Sequence, residues 1–129
     1  MSVCPCGSAL GYLACCGQYI ESKKFPETPE QLMRSRYSAY TLACIPYIKK
    51  TMRGKALLGF QAKEARGWAK RVVWLGLRVQ NAYFEHPDKG FVEFIARFRE
   101  GVEEKSIHEI SEFQRVKGGW FYVDGRSPS

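Results

Sequence analysis

Four of the five cysteines lie within the first sixteen residues, as a Cys-Pro-Cys triplet and, eight residues later, an adjacent pair. Thiolates packed this densely in a short loop that contains glycine are typical ligands of a tetrahedral zinc site. Adjacent cysteines cannot easily pair with each other, and disulfides between the two pairs would close only a tiny loop, which stabilises little. The spacing therefore predicts a zinc ion, with a disulfide or redox pair as the alternative. The four predicted ligands are Cys4, Cys6, Cys15 and Cys16.

Four protein ligands close the coordination sphere of zinc and leave no position for water or substrate. A structural role for the metal is therefore predicted, rather than a catalytic one.

The cysteine segment, from Cys4-Pro5-Cys6-Gly7-Ser8 to Cys15-Cys16-Gly17, resembles the SEC-C motif, a small zinc module found at the C-terminus of the SecA translocase. In SecA that module docks on SecB and on the ribosome, and it carries several lysines between its cysteine pairs. The interval here, residues 7–14, has no charged residue. The resemblance therefore implies the docking role of the SecA module only weakly.

Composition narrows the class of protein. The 129 residues carry a net charge of +7 and are 45% hydrophobic, which favours a folded domain over a disordered chain. We find no apolar run of membrane-spanning length and no signal peptide at the start, and we expect a cytoplasmic protein with reduced thiols and no membrane association. Basic residues are most frequent over 49–71, which suggests an acidic partner such as RNA or the ribosome, although a merely basic surface explains them as well.

The hydrophobic period changes from that of helices to that of strands near residue 72. Thr28 followed by Pro29 is typical of a helix start, and Gly118-Gly119 indicates a tight hairpin. Arg53-Gly54-Lys55 interrupts the helical pattern. The predicted helices cover about 29–43, 47–52 and 59–70, and the predicted strands 73–80, 92–99, 105–116 and 120–123. Helices followed by meandering strands predict an α+β fold with an antiparallel sheet of about four strands.

Motifs along the whole chain resemble the YchJ-like (UPF0225) family. They are Met33-Arg34-Ser35-Arg36-Tyr37-Ser38-Ala39-Tyr40, Trp74-Leu75-Gly76-Leu77, Ala96-Arg97-Phe98, Glu109 with Ser111 and Phe113, and Trp120-Phe121-Tyr122-Val123-Asp124-Gly125. The resemblance implies an NTF2-like cone over about 28–126, in which the helices pack on a curved sheet, preceded by a SEC-C-like zinc module over 1–20. The family's biochemical function is largely uncharacterised.

The chain departs from this pattern in two places. Many members carry Trp-His-Pro where this sequence has Met52-Arg53-Gly54, so a role for that histidine is not expected here. Members often have a second SEC-C module after the body, and this sequence ends at Ser129, where it would begin.

Two charged residues fall within apolar rows. Arg36 lies on the apolar stripe of the first helix, and Glu109 shares a strand face with Ser111 and Phe113. Burying a charge is costly unless it is paired, so an interior Arg36–Glu109 ion pair is predicted. Such a pair fixes the packing of helix on sheet or lines a ligand cavity. The candidate lining residues are Arg36, Tyr37, Glu109 and Ser111.

Other reactive residues give weaker signals. Cys44 is predicted to be a small buried side chain, and His86 and His108 to be exposed. No catalytic residue can be assigned, and a non-enzymatic protein is favoured.

Three functions therefore remain open, of which the sequence favours the first. The first is an interaction or adaptor module that presents Leu10, Tyr12, Leu13 and Tyr19 to a protein partner. The second is a small-ligand binder or enzyme that uses the interior of the cone. The third is RNA or ribosome association through residues 49–71, and a homodimer through the sheet is allowed.

Overall fold

A computed structural model describes residues 3–128. Met1 and Ser2, which open the predicted zinc module, and Ser129 lie outside the described residues. A short 3₁₀ helix, Tyr12–Ala14, comes first, and the other elements follow in the order helices, then strands. The helices are α1 (Gly17–Ile20), α2 (Pro29–Thr41), α3 (Ile45–Lys50), α4 (Gly54–Leu58) and α5 (Ala62–Arg71). The strands are β1 (Val73–His86), β2 (Lys89–Glu100), β3 (Glu103–Val116) and β4 (Gly119–Arg126).

The four strands form one antiparallel sheet in the order β1-β2-β3-β4. Register shifts interrupt the β1–β2 ladder at three points and the β3–β4 ladder at one. Each such irregularity bends a strand and increases its local twist. The curved sheet packs around α2, which contacts β1, β2 and β4. The α+β fold with a four-stranded antiparallel sheet is therefore confirmed.

Helix α2 begins where the sequence predicts, because the Thr28 hydroxyl caps it by accepting a hydrogen bond from the Gln31 N–H at 3.1 Å. Its inner face is held against the sheet at Pro29, where the backbone of Gly90 approaches closely. A Cβ on Gly90 would lie 2.7 Å from Pro29 Cγ, so this approach of helix and sheet requires a glycine.

Three boundaries predicted within the helical half are wrong. Helix α3 starts at Ile45, with Pro46 inside its first turn, and it ends at Lys50 because the next residues leave the helix to pair with β4. There the Tyr122 N–H donates to the Thr51 carbonyl at 2.8 Å, and the Arg53 N–H donates to the Tyr122 carbonyl at 3.0 Å. Gly54 starts α4 instead of breaking the chain, since this five-residue helix is too short to show a period. Helix α5 begins at Ala62, three residues after the predicted start at Gly59.

The strands are longer than the segments of apolar alternation that predict them. All three hairpins turn over only two residues, Pro87-Asp88, Gly101-Val102 and Lys117-Gly118. The third turn therefore lies one residue before the predicted Gly118-Gly119 pair. Lys117 and Gly118 have φ of 52° and 83°, the left-handed conformation of a tight hairpin turn.

Candidate metal centre and cavity

The four N-terminal thiols converge on one point. The Sγ atoms of Cys4, Cys6, Cys15 and Cys16 all lie within 4.8 Å of one another, and those of Cys6 and Cys15 are 3.6 Å apart. Sulfur ligands about 2.3 Å from a tetrahedral zinc ion lie roughly 3.8 Å from each other. The donor set and its spacing therefore fit a single tetrahedral metal ion, and these residues could hold one.

The backbone around the thiols is fixed by the segment itself. Val3 bridges to Gly11, and the Cys4 N–H donates to the Leu10 carbonyl at 2.7 Å, which closes the loop between the cysteine pairs. Gly17 follows the second pair at the start of α1, where a Cβ would lie 2.8 Å from the Tyr12 carbonyl oxygen. The glycine therefore allows the 3₁₀ helix and α1 to approach each other and bring both cysteine pairs together.

The cysteine cluster is part of the core of the protein. Cys4, Cys6 and Cys16 are almost fully buried, whereas Cys15 is half-buried. The three buried thiols belong to the same apolar cluster as Leu32, Met33, Tyr37, Val92, Ala96, Phe113 and Trp120. The cysteine segment therefore shares one core with α2 and the sheet.

Helix α2 supplies the polar contacts around the thiols. The Arg34 Nη1 atom donates to the Cys6 carbonyl at 2.8 Å and lies 3.9 Å from Cys6 Sγ. The Ser38 Oγ atom lies 3.5 Å from Cys4 Sγ. A cation beside the thiolates offsets the negative charge that four thiolates and one divalent ion leave. Sequence reasoning missed Arg34, because its partners lie 28 residues away along the chain.

The thiols of the cluster differ in acidity. A hydrogen bond from Cys16 lowers the pKa of Cys6 to about 4. The same hydrogen bond and then burial raise the pKa of Cys16, and burial raises the pKa of Cys15. A lowered pKa favours the thiolate form of Cys6, which is the form that binds a metal.

A separate cavity of about 160 Å³ lies between α2, α5 and the inner face of the sheet. Its walls are mainly aromatic, and Trp68 and Trp74 meet edge to face on one side with ring centroids 5.0 Å apart. The four residues singled out in the sequence all line it: Arg36, Tyr37, Glu109 and Ser111.

The polar groups of the cavity are connected through Tyr122, which the sequence did not single out. The Tyr122 hydroxyl donates to Glu109 Oε2 at 2.9 Å, and the Ser111 hydroxyl donates to the same oxygen at 2.6 Å. The Arg36 guanidinium stacks over the Tyr122 ring at 4.6 Å from its centroid. Burial and the adjacent carboxylate raise the pKa of Tyr122, which keeps its hydroxyl protonated as a donor.

The predicted direct ion pair between Arg36 and Glu109 is wrong. Arg36 Nη1 instead donates to the Ile48 carbonyl at 2.8 Å and to the Thr51 hydroxyl at 2.7 Å. These acceptors at the end of α3 lie nearer in the chain than β3 does, and Tyr122 occupies the space between the two charges. Both hydrogen bonds of Arg36 use one nitrogen, and in residues 3–128 no fully buried side-chain nitrogen lacks a partner. Arg36 also lines the cavity.

The other reactive residues lie outside both sites. His108 is exposed on the outer face of the sheet and lies 2.7 Å from Glu93, and His86 is exposed beside its turn. Arg97 and Glu104 form a further ion pair of 3.2 Å on β2 and β3. Cys44 is only half-buried, less than predicted, because it lies in the loop that precedes α3.

Comparisons with known proteins cover most or all of the chain. A family model described as the middle NTF2-like domain of YchJ matches residues 28–125. The solution structure of a SEC-C motif containing protein from Rhodopseudomonas palustris has 38% identity and a TM-score of 0.90, over 99% of this chain and 100% of that one. A crystal structure of a SEC-C motif containing protein from Psychrobacter arcticus has 29% identity and a TM-score of 0.85, over 96% of this chain and 81% of that one.

A more distant similarity concerns the fold alone. An M. tuberculosis LEH-like epoxide hydrolase is 14% identical, with a TM-score of 0.51 over 78% of this chain and 81% of that one. The family model covers the NTF2-like domain, and the 38% identical SEC-C protein agrees with the cysteine cluster described above. The chain therefore belongs to the YchJ-like family, with an NTF2-like domain that follows a SEC-C motif.

Proposed function

We propose that this protein is a small-molecule-binding member of its family, whose fold is held together by a structural zinc ion. The zinc ligands are Cys4, Cys6, Cys15 and Cys16. Four thiols at tetrahedral spacing favour zinc over harder cations, and the complete ligand set favours a structural role. Free thiols in this number are typical of the reducing cytoplasm, where we place the protein. In residues 3–128, no helix is long and apolar enough to cross a membrane.

The observation that supports ligand binding is the cavity, because it combines aromatic walls with convergent polar groups. Its volume of about 160 Å³ suits a single ring, since an apolar cavity of about 150 Å³ accommodates benzene. Arg36 offers N–H donors and Glu109 offers a carboxylate acceptor at the same wall. The cavity therefore favours a flat, uncharged molecule that carries both a hydrogen-bond acceptor and a donor.

Benzamide is a suitable probe, because it joins one aromatic ring to one amide. We expect it to shift the indole N–H resonances of Trp68 and Trp74, which line the cavity, in an NMR titration. Trp120 serves as an internal control, because its indole N–H donates to the Glu27 carbonyl at 3.2 Å, outside the cavity. Equal shifts of all three resonances, or no shift, would contradict the proposal.

A matched variant tests the polar contact. Glu109→Gln keeps the shape of the side chain and removes its charge, so the affinity for benzamide should fall at least about tenfold through the loss of a charge-assisted hydrogen bond. Val116→Ala, on the same strand but outside the cavity lining, is the control and should leave the affinity unchanged. Unchanged binding by Glu109→Gln would show that the carboxylate does not contact the ligand.

An adaptor function is a second candidate, although fewer of its predicted contact residues are exposed than the sequence suggests. Tyr19 is only 8% exposed and packs in the core, so it is not displayed to a partner as expected. Leu10 and Leu13 remain 54% and 58% exposed beside the metal-binding loop, and Tyr12 is half-buried. If these leucines contact a protein partner, Leu10→Ser with Leu13→Ser will abolish its recovery by affinity capture while zinc content stays unchanged. Identical recovery with the wild type would exclude that surface.

A further inference from the structure

The structure brings three distant segments together around Phe121. The indole of Trp120 donates to the Glu27 carbonyl and so holds the connector that precedes α2 beside β4. The two backbone hydrogen bonds of Tyr122 hold the end of α3 on its other side. Residues 23–25, 49–53 and 121 therefore meet on one surface, although nothing in the sequence order places them together.

This surface contains two adjoining depressions of about 160 and 720 Å³, which share Lys50 and Phe121. We call them together the Lys50 groove. Its lining contains five exposed cations and no acidic residue: Lys23, Lys24, Lys49, Lys50 and Arg53. In the described part of the chain, none of the ion pairs uses any of these five side chains. The groove is therefore a concentration of positive charge that the protein itself does not neutralise.

Aromatic rings lie among these cations. Phe25 is 75% exposed within the groove, and Phe121 is half-buried, with the Arg53 guanidinium 5.2 Å from its centroid. The phenyl ring of Phe25 lies beside several lysines, and because it is exposed, it contributes little to the packing of the core. The acidic residues Glu112 and Asp124 line the next depression, beyond Arg53.

We propose that the Lys50 groove binds single-stranded nucleic acid. Cations along a groove neutralise successive phosphates, and an exposed aromatic ring stacks on a base without selecting its sequence. This assignment narrows the basic region 49–71 of the sequence to its first five residues and adds Lys23, Lys24 and Phe25 to it.

The test measures binding of a fluorescently labelled oligouridylate of about 12 nucleotides by anisotropy over a range of salt concentrations. The charge variant is Lys23→Gln with Lys24→Gln and Lys50→Gln. Its matched control, Lys63→Gln with Arg66→Gln and Lys70→Gln, removes three exposed cations from α5, outside the groove. Each phosphate contact contributes about 0.7 to the slope of log affinity against log salt for a single strand. The groove variant should therefore reduce the slope by about 2, and the α5 variant should leave it near the wild-type value.

A further variant tests stacking. Phe25→Ala should weaken binding at least about fivefold at constant salt, the lower end for loss of one stacked base. Circular dichroism should show all three variants folded, since every substituted side chain is exposed. Equal effects of the two charge variants, salt-independent binding or absence of binding would overturn the proposal. Equal binding of a duplex of the same length, or binding to phosphatidylserine vesicles without binding to the oligonucleotide, would also overturn it.

Discussion

Loss of the metal is expected to unfold far more than the N-terminal segment. Cys4, Cys6 and Cys16 share a core with Leu32 and Phe113, so disruption of the cluster opens the packing between α2 and the sheet. Binding of a structural zinc ion contributes about 10–16 kcal/mol in zinc-finger peptides. We therefore expect Cys16→Ser to abolish zinc binding and to lower the free energy of unfolding by at least about 4 kcal/mol, measured by urea denaturation beside elemental analysis.

Cys44→Ser is the matched control for this experiment. Cys44 is a half-buried cysteine outside the cluster, so its substitution should leave the zinc content at one ion per chain. Its effect on stability should stay within about 1 kcal/mol, as is typical of point substitutions that create no large cavity. A wild-type protein that unfolds at the same urea concentration with and without its metal would refute a structural role.

The same site should bind zinc more weakly at low pH. Burial raises the pKa of Cys15, and a hydrogen bond with Cys6 raises that of Cys16, so at neutral pH a bound zinc ion would displace protons from these thiols. The metal-free protein therefore holds more protons than the zinc-bound one, so acidification favours the metal-free state. Competition with a chromophoric chelator should show affinity that rises between about pH 6 and pH 8, and a constant affinity would contradict this assignment.

Replacement of Phe113 by alanine is expected to have the second large effect. The Phe113 side chain is 1% exposed, lies between the cysteine cluster and the cavity, and has its ring centroid 5.8 Å from that of Tyr122. Truncation of a buried phenylalanine to alanine costs about 3–5 kcal/mol, because packing is lost and the void does not collapse fully. Thermal and urea unfolding of Phe113→Ala should show a loss of this size.

The position of Phe113 makes a second measurement informative. The void left by its ring would adjoin the existing cavity, since Phe113 is one of the cavity's lining residues. Benzene should therefore raise the melting temperature of Phe113→Ala more than that of the wild type. Phe25→Ala, at an exposed position, should change stability by no more than about 0.5 kcal/mol. A similar small loss in Phe113→Ala would show that this ring does not support the core.

Local sequence patterns predict much of the fold and the position of the candidate metal site. Thr28 and Pro29 predict the start of α2 correctly because a helix cap depends on neighbouring residues alone. Alternation along residues 92–99 predicts strand β2, since one face is buried and the other is not. The spacing of the cysteines likewise indicates a metal site, because all four ligands come from one short segment.

The interactions that the sequence did not determine join residues far apart in the chain. The partner of Arg36 is decided by the position of Tyr122 and the end of α3, so its predicted pairing with Glu109 was wrong. The integration of the cysteine cluster into the main core depends on Arg34 and Ser38 of α2. The Lys50 groove exists only because β4 holds the connector and α3 side by side.

For this protein, the sequence determined which residues are suited to bind a metal and which of the longer helices and strands form. Those features depend on residue type and on short-range spacing, which are fixed before the chain folds. The tertiary structure decided which buried charges meet, which aromatic rings remain exposed and which surface collects the lysines. Those features depend on the curvature of the sheet around α2, which brings together side chains that no local pattern relates.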